Sequence, residues 1–157
     1  MFHLLKQPLP AKTAEIRTLY DLKRYKHWAC HDCTGLPVSP VNGQATSCDD
    51  SQSWGTYEQA HQYWLRHSPQ IVGLGFMLTP DLGITVITLD NCLVAGHLND
   101  FAREIVEVLD AYTEISPNGN GLHIWVQTNL ATHAEIYHEP YEHVRYIPIT
   151  GTTWREE

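Results

Sequence analysis

The chain has 157 residues, 43% hydrophobic and 18% charged, which suits one globular domain with a proper core and excludes a disordered segment. Its net charge of −8, from 18 acids against 10 Lys and Arg with 10 His besides, argues against a broad basic face that wraps duplex DNA. The same balance leaves room for a small basic patch, or for an acidic surface that competes with nucleic acid for another protein's basic groove.

In chain order, Ala14 to Tyr25 carries Ile16, Leu19, Tyr20 and Leu22 at helical spacing, with Arg17, Lys23, Arg24 and Lys26 as a basic cluster on its polar side. HWAC reads as a short strand, and TGLPVSPVNGQATSCDDSQSW as a long loop. Asp50 or Ser51 is the expected cap of a helix from Tyr57 to His67. Two strands follow, IVGLGFML and ITVITLD, joined by a turn over Pro80–Gly83. Asn99 to Ala111 is the best helix, with Phe101, Ile105, Val108, Leu109 and Tyr112 at helical spacing. A hairpin spans Tyr112 to Trp125, and HAEIYH and VRYIPITG are the last strands. Strands outnumber the helices that interrupt them, and there is no repeat, low-complexity tract or linker, so a single α+β domain over 1–157 with helices beside a sheet is the expected class.

No apolar run approaches a membrane span, and the opening MFHLLKQPLPAK lacks a signal-peptide pattern. The expectation is a cytoplasmic protein with no membrane partner, whose cysteines Cys30, Cys33, Cys48 and Cys92 stay reduced. Cys30 and Cys33 form a CxxC, and with Cys48 and a histidine such as His27 they offer one possible Zn²⁺ set. A second CxxC or an HxxxH is missing, so reduced, partly buried thiols are the plainer reading.

The hairpin raises its own question. In YTEISPNGNGLHIW a strand breaks into Pro117, Asn118, Gly119, Asn120 and Gly121, then resumes with His123 near its start. A tight hairpin needs only two such residues. Five suggest a loop whose backbone something approaches closely, with His123 projecting beside it. Asp90 ends the apolar run TVITLD, where a carboxylate suits either a ligand site at a sheet margin or a plain Asp-Asn turn. Glu135 lies in the strand-like AEIY and Arg145 in VRYIPITG. Carboxylates from two strands, a histidine from a third and an arginine from a fourth could converge on a metal-bound phosphate.

Taken in order, KHWAC, GLPVSP, SWGTYEQA, GLGFML, LDNC, EISPNGNGLHIW, EIY and RYIPITG resemble the N-terminal primase–polymerase (Prim-Pol) domain of phages and plasmids, within the archaeo-eukaryotic primase superfamily. The resemblance covers roughly Lys26 to Gly151. It implies an archaeo-eukaryotic primase-like (RRM-like) mixed sheet with flanking helices, and a DNA primase and polymerase that transfers nucleotides in phage or plasmid DNA replication. It implies Mg²⁺ or Mn²⁺ as cofactor, nucleotides and a single-stranded DNA template as ligands, and a helicase as a separate partner. Residue by residue, Asp90 matches the second of two metal-binding acids, Glu135 matches a third, and His123 matches a histidine on the incoming nucleotide's phosphates. Ser116, Gly119 and Gly121 match the loop before that histidine, and Arg145, Thr150 and Gly151 match a later nucleotide element.

The departures bear on function. Thr88 stands where the family has its first metal acid, and a neutral hydroxyl is a poor replacement for a carboxylate that bridges ions. Gly35 stands where the family often has Lys, and HEPYE adds acidic residues after Glu135. Together with the net charge, these keep two other readings open. One is a degenerate primase fold that only binds nucleotide or single-stranded nucleic acid, and the other an acidic module that inhibits a host protein. Trp28, Trp54, Tyr57, Trp64 and Trp125 are candidates for base stacking, though most read as core.

Overall fold

A computed structural model describes residues 16–127 and 145–154. The first elements are α1 (Leu19–Lys23), β1 (Trp28–Asp32), β2 (Pro37–Val38), α2 (Tyr57–His67), β3 (Ile71–Leu78) and β4 (Ile84–Leu89). Then come β5 (Leu93–Val94), β6 (His97–Leu98), α3 (Asp100–Leu109), β7 (Tyr112–Ile115), β8 (Leu122–Gln127) and β9 (Arg145–Ile149). The α+β class is borne out. Where the resemblance implies one mixed sheet, the described strands form sheets of four, three and two strands, and every described pair is antiparallel. Hairpin-linked strands such as β7 and β8 have no crossover to make them parallel. By its contacts the chain divides into two compact units.

One unit comprises Leu22–Thr79 and His143–Thr150. Its sheet has the order β2-β1-β3-β9. β3 is buried at every position but Val72 and shows the near-continuous apolar run of a strand covered on both faces. Gly73 and Gly75 keep one of those faces thin. A Cβ on Gly73 would stand 2.7 Å from the His31 ring, and one on Gly75 would stand 2.5 Å from the Tyr146 ring. The two rings cross the strand there and are hydrogen-bonded, His31 Nδ1 to Tyr146 hydroxyl, at 2.6 Å. The cap expected at Asp50 or Ser51 lies instead at Thr56. Its hydroxyl accepts the Gln59 N–H while the Gln59 side chain accepts the Thr56 N–H, a capping box. Asp50 instead precedes a separate 3-10 turn, Ser51–Ser53, and makes no side-chain cap there.

The other unit holds β4 to β8 and the chain on either side. β8 is the middle strand of β4-β8-β7. Its alternate residues Leu122, Ile124 and Val126 join Ile87 and Leu89 of β4 against Ala102, Ile105 and Leu109 of α3. The helix starts where the Asn99 side chain accepts the Ala102 N–H at 2.8 Å, and stops at Asp110, which adopts φ +46. Val108, expected on the apolar face, is 56% exposed, because the buried stripe runs through Ala102 instead. The ribbon β5-β6 was not foreseen. Its turn, Ala95 and Gly96, has φ of +53 and +81, the paired positive values that a two-residue hairpin takes. The first helix is shorter than expected, and Ile16 ahead of it is buried, its carbonyl accepting the Tyr112 N–H at 2.8 Å. HAEIYH, with Glu135, lies outside the described residues.

No helix among the described residues is long and apolar enough to cross a membrane. Ile105 is fully buried between α3 and the sheet. Ile105→Ala is expected to lower unfolding free energy by about 3 kcal/mol, measured by urea denaturation with an unchanged slope.

Candidate functional site

The sheet β4-β8-β7 has two unlike faces. The apolar one packs on α3. On the opposite face the antiparallel register sets Thr88 of β4 across from His123 of β8, and His123 across from Glu114 of β7. Directly paired residues share a face, so Thr88, His123 and Glu114 form one row.

The loop from Ser116 to Gly121 closes β7 onto β8. Ser116 Oγ donates to Asn118 Oδ1 at 2.7 Å and accepts the Gly121 N–H at 3.1 Å. Ser116 is buried, so its hydroxyl serves the loop's own geometry. Asn118 Oδ1 also accepts the Asn120 N–H at 3.1 Å. Gly119 takes φ +83 with nothing within 4 Å of where a Cβ would point. Gly121 is the close approach that five turn residues suggested, but what approaches is the protein's own chain. A Cβ there would lie 2.5 Å from the Leu89 carbonyl oxygen and 3.4 Å from the Asp90 Cα. The start of β8 therefore abuts the end of β4, where Asp90 sits.

Asp90 is exposed and begins a turn in which Asn91 adopts φ +55. It is the turn residue of an Asp-Asn pair, and it stands at a sheet margin. The Cys92 thiol donates to the Leu89 carbonyl at 3.4 Å and the Leu93 N–H to the Asn120 carbonyl at 3.1 Å, which fixes the turn to the loop. His123 is half-buried, and its Nδ1 has no hydrogen-bond partner among the described residues. Burial pushes the imidazole below its ordinary pKa of 6.5, while the charge of Asp90 acts in the opposite direction. The ring is neutral at pH 7, and the two side chains sense each other electrostatically.

Glu114 was missed by sequence reasoning. It is fully buried, and its Oε2 accepts the Tyr112 hydroxyl at 2.7 Å and the Gly151 N–H at 3.2 Å. The signal was available in the hairpin: counting outward from the loop, Ile115 faces Leu122 and so Glu114 faces His123. Of the other predicted residues, Arg145 opens β9 opposite Leu78, and Thr150 follows that strand, exposed. Both belong to the other compact unit.

Asp90, an exposed carboxylate beside the row, is the described residue that suits a divalent cation. No group of three or more His, Cys, Asp or Glu gathers to hold a metal among the described residues. For the zinc reading, Cys30 is buried and donates to the Ala60 carbonyl at 3.2 Å, Cys48 lies 3.8 Å from the Met77 sulfur, and Cys33 is exposed. Burial pushes the Cys30 thiol up to about 12, which opposes the thiolate that zinc binds. All four cysteines are free thiols. Gly35 has a local reason for its identity: it takes φ +85, and its N–H donates to the Asp32 carbonyl at 3.0 Å in a tight turn. Trp28, Trp54 and Trp125 are at most 3% exposed, which makes them core rather than stacking surfaces.

Two measurements follow from these environments. In a proton NMR titration His123 is expected to protonate below 6.5, and Asp90→Asn to lower that value further by removing the charge that raises it. An unchanged or higher value in Asp90→Asn would contradict the placement. With a thiol reagent at pH 8, Cys33 is expected to react first and Cys30 only on unfolding.

No protein-family model matches the chain. The DNA primase-polymerase of Nitratiruptor phage NrS-1 is 34% identical over 152 residues, covering 87% of this chain. The chain spans 21% of that relative's length. The resemblance carried by SWGTYEQA, LDNC, EISPNGNGLHIW and RYIPITG is borne out: over most of its length the chain is similar to a phage DNA primase-polymerase.

Proposed function

We propose that this domain carries out metal-dependent nucleotidyl transfer in the DNA replication of a mobile genetic element, on nucleotides and a single-stranded DNA template. The observation that carries the proposal is the junction at Gly121, which sets Asp90 beside the strand that bears His123. Asp90 and Glu135 are the residues that would hold Mg²⁺ or Mn²⁺, whose charge, when bound, stabilises the transferring phosphoryl group. His123 contributes a neutral imidazole, and the ring offers one N–H suited to a hydrogen bond with a phosphate oxygen. The open space over Gly119 lets a ligand approach the loop's backbone. Arg145 and Thr150 match the family's later nucleotide element, and a guanidinium offers phosphate two parallel hydrogen bonds.

Thr88 favours a second reading. It stands in the row with His123, where the family places a carboxylate, and a hydroxyl there weakens any hold on a cation. On this reading the fold binds nucleotide or single-stranded DNA without synthesis, or serves as an acidic module against a host protein.

Template-directed nucleotide incorporation with Mn²⁺ separates the readings when the native chain, Thr88→Asp and Asp90→Ala are compared. The expected result is incorporation by the native chain, a rise in Thr88→Asp, and a loss of about a hundredfold or more in Asp90→Ala. Silence in the native chain with activity gained in Thr88→Asp would favour the degenerate reading, and silence in all three would refute the catalytic one.

A further inference from the structure

Glu114 is the one buried carboxylate or cation among the described residues, with no exposure to solvent. A carboxylate out of water is costly unless donors surround it. The Tyr112 hydroxyl at 2.7 Å and the Gly151 N–H at 3.2 Å are two such donors, one from its own strand and one from the far end of the chain. An apolar residue at position 114 would avoid the cost altogether, so the acid has to be explained by what it holds.

What it holds is the segment after β9. Gly151 turns with φ +72. The chain then runs beside β7, with the Ile115 N–H donating to the Thr152 carbonyl at 2.8 Å and the Trp154 N–H to the Thr113 carbonyl at 2.9 Å. Glu114 thus has His123 as its partner across one edge of β7 and Thr153 across the other. These backbone bonds set the register of residues 152–154, and none of them reaches Gly151. The Gly151 N–H is taken by the Glu114 side chain. A side-chain oxygen held in that place fixes the amide's direction.

We infer that Glu114 is a positioning residue: its buried carboxylate latches the Gly151 turn in the row of His123, so that the chain following β9 meets a nucleotide in one fixed conformation. The nucleotide part rests on the function proposed above, and the latch itself does not. Gly151 is exposed, with nothing within 4 Å of where a Cβ would project, so the latched turn is open to a ligand.

The test follows the Gly151 amide and the His123 ring by NMR in the native chain, Glu114→Gln, Glu114→Ala and Tyr112→Phe, each titrated with a deoxynucleoside triphosphate in the presence of Mg²⁺. Hydrogen exchange of Gly151 is expected to quicken roughly tenfold or more in Glu114→Ala and less in Glu114→Gln, which keeps an acceptor oxygen. Tyr112→Phe leaves the carboxylate in place and is expected to fold with the Gly151 amide still protected. Nucleotide affinity should fall in the same order as Gly151 protection, with Glu114→Gln partly restoring what Glu114→Ala loses. A merely structural role would lower the melting temperature and leave Gly151 and nucleotide affinity as in the native chain, and that result overturns the inference. If Glu114→Ala does not fold, an unchanged Gly151 amide in Glu114→Gln overturns it equally. Absence of nucleotide-induced shifts in the native chain would sink the proposed function, while Gly151 exchange still decides the latch.

Discussion

The missing side chain of Gly121 is the constraint on which the site depends. β8 can start against the Leu89 carbonyl and the Asp90 backbone because nothing projects from Gly121 into that gap. From there the ladder fixes everything else. Leu89 pairs with Leu122, so Thr88 pairs with His123, and parity sends Leu122, Ile124 and Val126 toward α3. A shift of one residue would turn His123 into the apolar core and expose Leu122 and Ile124. The burial that holds β8 in register is therefore also what holds His123 on the working face, and stability and site geometry are one requirement.

The loop before Gly121 shows a similar economy. The side-chain oxygens of Ser116 and Asn118 bond to each other and to the loop backbone, at distances between 2.7 and 3.1 Å. Those bonds order the loop without a ligand, while the buried Asn120 Oδ1 has no partner among the described residues. Its function, on the proposed reading, is to present Gly119 and to bring the ends of β4 and β8 together, while contact with phosphate falls to His123.

Much of this was legible in the sequence, for identifiable reasons. α2, β3, β4 and the β7-β8 hairpin announce themselves by period and by turn chemistry, and all lie within a residue or so of where the pattern puts them. Two of the misses share one cause, which is that they depend on partners distant in sequence. The burial of Glu114 is set by a donor from Gly151, and a lone Glu in a strand otherwise reads as solvent-facing. The crossing of His31 and Tyr146 over Gly73 and Gly75 needs three strands aligned at once. The cap at Thr56 is local and legible, because Thr56 and Gln59 carry the spacing of a capping box that a lone Asp50 lacks. Gly35 looked like a lost phosphate contact until its positive φ supplied a backbone reason for it.

Thr88 and His123 belong to one argument rather than two. They face each other across the β4-β8 ladder, so an acid at position 88 would stand directly beside the imidazole. A carboxylate there would raise the affinity of His123 for a proton and, with Asp90, draw in a cation. With threonine there, burial outweighs the opposing charge of Asp90 at the ring. The same substitution that thins the ligand set for a metal thus keeps His123 neutral at pH 7. A neutral ring offers phosphate a single N–H instead of a positive charge, which lowers its attraction for a free triphosphate. On the proposed reading the charge for holding a triphosphate would then fall more heavily on a bound cation, at the position where Thr88 weakens the hold on that cation.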